Sequence, residues 1–201
     1  MSRSARARGG DWLNHALDLS AADMDGGLTP VGDPLQACHA DMSTPPVQLR
    51  AVQELAPLAE EVVSRFRHDI ADVVDAEVHH IGATAMPFGH TKGDVDVNIR
   101  VDGRTFAAVL TALRERFAVA QPENWTPTFA SFSSDGYSLP LGIQLTLLGS
   151  DDDYLLALHD RIRADPGLVQ QYDEVKLGAA RVGQSAYWEA KNEFLQKLLA
   201  E

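Results

Sequence analysis

Apolar residues return every three or four positions between residues 47 and 74, at Leu49, Val52, Leu55, Leu58, Val62, Val63, Phe66, Ile70, Val73 and Val74. That period is one face of an α-helix. It predicts a long helix, kinked at Pro57, whose ring removes a backbone donor. Beyond it the period changes. Residues 77–81 read as a strand running into Gly82, and 83–90 as a short helix or a loop. Residues 94–101 read as a second strand, closed by the turn residues Asp102 and Gly103. Helical spacing returns over 105–117, with Phe106, Val109, Leu110 and Leu113 on one face. A strand at 117–120 follows. Residues 121–140 set Pro122, Trp125, Pro127, Phe129, Phe132 and Tyr137 among polar neighbours, and read as a strand and a long loop. Residues 141–148 alternate as another strand, which sends Gln144 and Thr146 to one face. Asp151, Asp152 and Asp153 are expected to open a helix over 152–164, because acids favour the positive end of a helix dipole. Helices over 166–181 and 185–200 close the chain. This order predicts an α+β fold: a mixed β-sheet covered by helices on one side, with further helices at the C-terminal end. There is no internal repeat.

Residues 1–45 do not share the pattern. Gly26, Gly27, Pro30, Gly32, Pro34, Pro45 and Pro46 punctuate this region. Trp12, Leu13, Ala16, Leu17 and Leu19 fit a short amphipathic helix, and the rest reads as a flexible or partly ordered arm. The domain proper is expected over 46–201. At 201 residues and 45% hydrophobic, the chain is long enough for one sizeable core.

Charge narrows the choice of partner. The formal net charge is −12, whereas nucleic-acid binding needs a basic stripe, so no nucleic-acid partner is expected. A phosphorylated small molecule remains compatible, because a few lysines in one cleft outweigh distant acids. The single cysteine, Cys38, permits no intrachain disulfide. It points to a reducing, cytoplasmic setting and, without a second thiol, to no zinc site there. No run of 18 apolar residues exists, so no membrane span is expected. Arg3, Arg6 and Arg8 lead into Gly9, Gly10 and Asp11, not into the apolar stretch of a secretory signal.

The chemistry concentrates in one stretch. His80-Ile81-Gly82-Ala83-Thr84-Ala85-Met86-Pro87 places a small-residue turn after the first strand, and Lys92-Gly93-Asp94-Val95-Asp96-Val97 follows. Side chains at i and i+2 of a strand share a face, so Asp94 and Asp96 are expected to project together near Gly82. Two carboxylates suit Mg²⁺ or Mn²⁺, and Mg²⁺ is usually held by one or two carboxylates plus substrate phosphates. A turn of glycine, a small residue and threonine offers backbone N–H groups and a hydroxyl to phosphate oxygens. Together they point to metal-assisted phosphoryl or nucleotidyl transfer. The plainer reading is a solvated acidic pair at a strand end. The apolar flanks Val95, Val97 and Ile99 favour a half-buried strand over that reading.

The succession His80-Ile81-Gly82-Ala83-Thr84-Ala85-x-Pro87, then Lys92, then Asp96 resembles the GrpB-like family. That family belongs to the nucleotidyltransferase superfamily, with a DNA-polymerase-beta-like fold. Its usual pattern there is His-Ile-Gly-Ser-Thr-Ala-Val-Pro-Gly, a lysine, and an aspartate on the next strand. Asp160 lies in a segment similar to the family's Arg-Asp-Tyr-Leu. Tyr172 with Lys176, and Tyr187 with Ala190, Lys191 and Phe194, resemble its closing helices. The resemblance spans about residues 47–200. Four departures stand out. Ala83 replaces a serine, Phe88 stands where glycine is usual, Asp94 is an additional carboxylate, and Gln144 occupies the strand that supplies a third carboxylate in active nucleotidyltransferases. Glu123 and Asp135, on the 121–140 loop, are candidates to compensate.

The resemblance implies roles. Asp94 and Asp96 would be the catalytic pair and the Mg²⁺ ligands. Gly82, Ala83 and Thr84 would cradle the triphosphate, Lys92 would reach a phosphate, and Gln144 would line the nucleotide site. His80 would orient Asp96 or a phosphate, or is simply a packed core histidine. Tyr172 and Lys176, like Tyr187 and Lys191, are four apart and share a helix face. The lysines would neutralise phosphates while the tyrosines frame a base or an acceptor. The plainer reading is a decorated surface with the tyrosines in the core. Trp125 and Trp188 either line a pocket or, on the plainer reading, are hydrophobic filler. The expected activity is transfer of a nucleoside monophosphate from a nucleoside triphosphate, ATP in the first instance, to a small-molecule acceptor, with activation of a carboxylate as an adenylate as one form. The competing expectation is a degenerate fold that binds a nucleotide or a partner without chemistry, which Ala83 and Gln144 favour and Asp94 opposes.

Overall fold

Residues 45–201 are described in the computed structural model. The expected arm, its helix around Trp12, and Cys38 lie outside the described residues. The first regular element is a two-residue strand, β1 (Arg50–Ala51), which runs straight into helix α1 (Val52–Ile70). Helix α1 buries Val52, Leu55, Ala59, Val62, Val63, Phe66 and Ile70, the one-face spacing that the sequence predicts. It is shorter at both ends than the apolar period. Before it, Arg50 and Ala51 pair antiparallel with His90 and Thr91 of β3 (His90–Thr91), and the Val47 N–H bonds to the Ala180 carbonyl. After it, Val74 still faces the core, so the apolar pattern outlasts the helix. Pro57 lies inside α1, as expected.

Five strands form the main sheet: β2 (Val78–Ile81), β4 (Val95–Val101), β5 (Ala118–Ala120), β6 (Phe129–Ser134) and β7 (Leu141–Leu147). Their order is β2-β4-β7-β6-β5. Only β4 and β7 run parallel, with Val95 opposite Leu141 and Asn98 opposite Gln144; the other pairs are antiparallel. A parallel partner needs a crossover. Helix α2 (Phe106–Arg116) and the β5–β6 pair fill the chain between β4 and β7. Alternation divides the sheet sharply. Val95, Val97, Ile99 and Val101 of β4, with Leu141, Ile143 and Leu145 of β7, join α1 and α2 in the larger core. Each such fully buried aliphatic side chain contributes roughly 1.5–3 kcal/mol relative to exposure.

The other face is polar yet closed. Asp96 and Asn98 of β4, Gln144 and Thr146 of β7, and Ser131 of β6 are all about 1% exposed or less. Helices α3 (Leu155–Ala164), α4 (Pro166–Ala180) and α5 (Gln184–Ala200) build a second core with Ile81 of β2 and Phe129 of β6. Ile81 lies opposite Asp96, so it shares that polar face. Helices therefore cover the sheet on both sides, not on one. The reason is local: Ile81 and Phe129 give an otherwise polar face two apolar points to dock against. Asp165 caps α4 through the Gly167 N–H (2.8 Å), with Pro166 at the first helical position.

The acidic run does not open α3. That helix starts at Leu155 with no acid in its first turn. Asp152 accepts hydrogen bonds from the hydroxyls of Thr126 and Thr128, and Asp153 pairs with Arg100 at 2.6 Å and 2.8 Å. Specific partners on the sheet outweigh the few tenths of a kcal/mol, up to about 1, that a helix end offers.

Candidate functional site

The site begins where β2 ends. Gly82 has φ +77°, a conformation that side chains beyond glycine rarely adopt. Its missing side chain matters as much as its backbone. A Cβ there would overlap Asp96 Oδ2 and come within 3.0 Å of Asp96 Cβ. The chain thus brings the bare Gly82 backbone against the Asp96 carboxylate. The next residues form a single 3₁₀ turn (Ala83–Ala85) that buries Thr84.

Thr84 ties that turn to the strand with the acids. Its hydroxyl donates to the Asp94 carbonyl at 3.1 Å. A hydroxyl has one proton, so at its other contact, His80 Nε2 at 3.0 Å, it accepts. His80 therefore carries its proton on Nε2. Burial, with the nearby His159 adding to it, pushes the His80 imidazole down to about 4, which keeps it neutral. His159, on α3, is pushed down to about 4 by burial as well. Of the two roles expected for His80, the packed and hydrogen-bonded one describes its contacts.

Asp94 stands just before β4 and Asp96 one step inside it, both buried at 5% and 1% exposure. They are not a solvated pair. Asp94 Oδ2 has no hydrogen-bond partner. Gln144, opposite on β7 and fully buried, directs its Nε2 to Asp96 Oδ1 at 3.3 Å, while its own Oε1 has no partner. Asn98 donates to the Gln144 carbonyl and the Thr146 hydroxyl, both at 3.1 Å. Glu123 and Asp135 are both exposed and complete no carboxylate set. Among the described residues no group of three or more His, Cys, Asp or Glu side chains could hold a metal ion.

The two helical pairs part company. Tyr172 stacks on Phe194 with ring centroids 5.5 Å apart, inside the second core. Lys176 is 2% exposed; it donates to the His90 carbonyl, lies 3.6 Å from Asp173 and sits 4.6 Å from the Tyr172 ring centre. Asp173 in turn accepts the His90 N–H at 2.6 Å and meets His90 Nδ1 at 2.9 Å. Lys176 and Asp173 thus fasten α4 to β3. Tyr187 and Lys191 take the other direction. Lys92 Nζ lies 4.4 Å, and Lys191 Nζ 5.2 Å, from the centre of the Trp188 ring, and Tyr187 meets that ring edge-on at 5.9 Å. Trp188 is therefore the meeting point of two cations, beside the loop that leads into Asp94. Trp125 is filler, packed on Phe132 with its N–H bonded to the Ala120 carbonyl. Neither lysine pair is a decorated surface. Nothing in the spacing around Trp188 hints at this arrangement, whereas Asp173 could have been found as the acid three residues before Lys176.

An open cleft lined by Arg67, Ile70, Val74, Glu77, Val78 and His79 lies at the far end of α1, away from the carboxylates. Arg67 donates there to the Val78 carbonyl at 2.7 Å, which covers the free edge of β2.

Comparison with known proteins places this geometry in context. A family model described as GrpB protein matches residues 51–201. A UPF0157 protein of Vibrio cholerae serotype O1 is 24% identical over 157 residues, which is 77% of this chain and 83% of the Vibrio protein. The crystal structure of GrpB from Enterococcus faecalis superposes with a TM-score of 0.54 at 16% identity, over 76% of this chain and 99% of that one. At that identity the likeness speaks for the fold alone.

Proposed function

The chain belongs to the GrpB family, and on that footing we propose that it is a Mg²⁺-dependent nucleotidyltransferase. It moves a nucleoside monophosphate from a nucleoside triphosphate, ATP in the first instance, to a small-molecule acceptor. The observation that carries this reading is the pair at the head of β4: two buried carboxylates, one with an oxygen that no protein donor meets. An unmet buried acceptor costs about 1–3 kcal/mol, more when charged, and a bound cation offsets that cost. The surrounding donors are oxygens, which fits Mg²⁺ or Mn²⁺. Asp94 and Asp96 would hold the ion, with the amide oxygen of Gln144 on the same sheet face. Once bound, it would neutralise phosphate charge and polarise the reacting phosphorus.

The chain's own groups account for the rest. Lys92 and Lys191, gathered at Trp188, bring positive charge to the loop before Asp94, where phosphates would lie. Backbone N–H groups of the Gly82 turn supply the cradle, since the Thr84 hydroxyl proton is committed to the Asp94 carbonyl. Trp188, half-buried, offers an aromatic face to a base, with the buried Tyr187 packed edge-on against it. An acceptor hydroxyl or carboxylate would attack the α-phosphorus in line, and the bond to pyrophosphate would break. Catalysis would come from positioning and charge neutralisation. The cytoplasm is the setting that suits an ATP-using enzyme.

Titration calorimetry with each nucleoside triphosphate, with and without Mg²⁺, tests the reading. Expected is Mg²⁺-dependent binding that the Asp94→Asn, Asp96→Asn double variant loses. Binding that ignores both Mg²⁺ and the variant sinks it. A second reading, nucleotide binding without chemistry, draws on Gln144 and on the lack of a third carboxylate among the described residues. Mg²⁺-dependent pyrophosphate release with any acceptor excludes that alternative.

A further inference from the structure

Resting on the metal-site reading above, we infer that Gln144 restricts the Asp94–Asp96 site to a single divalent cation. Its side chain does two things at once. The Nε2 amide group gives Asp96 Oδ1 a hydrogen-bond donor at 3.3 Å, and both residues are about 1% exposed or less. On the other oxygen, Asp96 Oδ2 lies against the Gly82 backbone, so closely that a Cβ there would overlap it. A donor already stands on the β7 side of the carboxylate. A cation bridging Asp96 and residue 144 would have to displace it.

The amide also removes the charge that a second cation needs. A carboxylate at 144 would face Asp96 Oδ1 across the same 3.3 Å. Two like charges that close and that buried persist as a charged pair only with a cation between them; without one, one of the carboxyls takes up a proton. The neutral amide needs none. What remains for a metal is Asp94 Oδ2, which has no protein partner, with the rest of the Asp94–Asp96 pair. Gln144 Oε1, also without a partner, adds a neutral ligand of low affinity on the same face. Gln144 is thus a positioning residue: it holds Asp96 in the absence of a second metal and sets the metal count at one.

The test is a Mn²⁺ titration of the full chain followed by electron paramagnetic resonance of the free ion. It uses the parent, Gln144→Glu and Asp94→Asn. Expected is one Mn²⁺ per parent chain, loss of that ion in Asp94→Asn, and a second ion in Gln144→Glu. Two ions on the parent, or a single ion on Gln144→Glu at any affinity, overturn the inference while leaving the metal site standing. No Asp94-dependent ion on the parent overturns both. Because a new buried carboxylate strains the fold, Tm is read with and without Mn²⁺. A larger Mn²⁺-induced rise in Gln144→Glu than in the parent is the expected sign. A Gln144→Glu chain that stays unfolded at saturating Mn²⁺ overturns the inference too, since its carboxylate then finds no cation.

Discussion

At the residue scale, single protons and single missing atoms decide the site. His80 and His159 are both pushed from the ordinary 6.5 to about 4. A histidine whose folded value is depressed binds fewer protons folded than unfolded between those two values. Stability is therefore fully present above pH 6.5, falls as pH drops toward 4, and stops falling from this cause below it. The loss is on the order of a few kcal/mol for the pair. Urea midpoints at pH 7, 5.5 and 4 should fall in that order, and His159→Phe should flatten the slope. A second expectation concerns Gly82. Gly82→Ala combines a positive φ with a clash on Asp96, and should cost about 2 kcal/mol or more in a urea melt. It should also weaken Mg²⁺-dependent nucleotide binding by displacing the carboxylate. Unchanged stability would show that the turn relaxes freely.

At the element scale, Asp173 is the fastening of α4. It meets the His90 N–H and ring and lies beside the buried Lys176. Asp173→Ala should cost about 3–5 kcal/mol, because a buried ammonium loses its counter-charge. Hydrogen exchange should report faster opening of α4 than of β4; equal protection in both would contradict this role. Elements with a strong period were legible: α1, β4, α2, β7 and the three closing helices follow from apolar spacing alone. The β1–β3 pair was not, since two residues carry no period and their partner lies forty positions away. The start of α3 was misread because the pull of Arg100, Thr126 and Thr128 on the acids is tertiary. The same limit governs the site. The spacing of Asp94 and Asp96 with Gly82 was visible, whereas the separate fates of Lys176 and Lys191, four residues behind similar tyrosines, depend on which loop each helix meets.

At the scale of the whole molecule there are two cores with little shared material. One lies between the sheet and α1 with α2; the other joins α3, α4 and α5 through Ile81 and Phe129. Leu195→Ala should cost about 2–5 kcal/mol and loosen amides of α3 to α5 while β4 and β7 stay protected in hydrogen exchange. Uniform loss would show that the molecule opens as one unit. No helix among the described residues is long and apolar enough to cross a membrane. The parallel pairing of β4 with β7 has a consequence during synthesis. β4 leaves the ribosome well before β7, and until residue 147 follows, only β2 can pair with it. For that interval its other edge is an open template for a neighbouring nascent chain. Asp96, Asn98 and Arg100 line one face of that exposed ribbon, and inward-pointing charge is a known deterrent to edge-to-edge joining. Asp96, which the finished molecule buries beside Gly82, is charge of that kind.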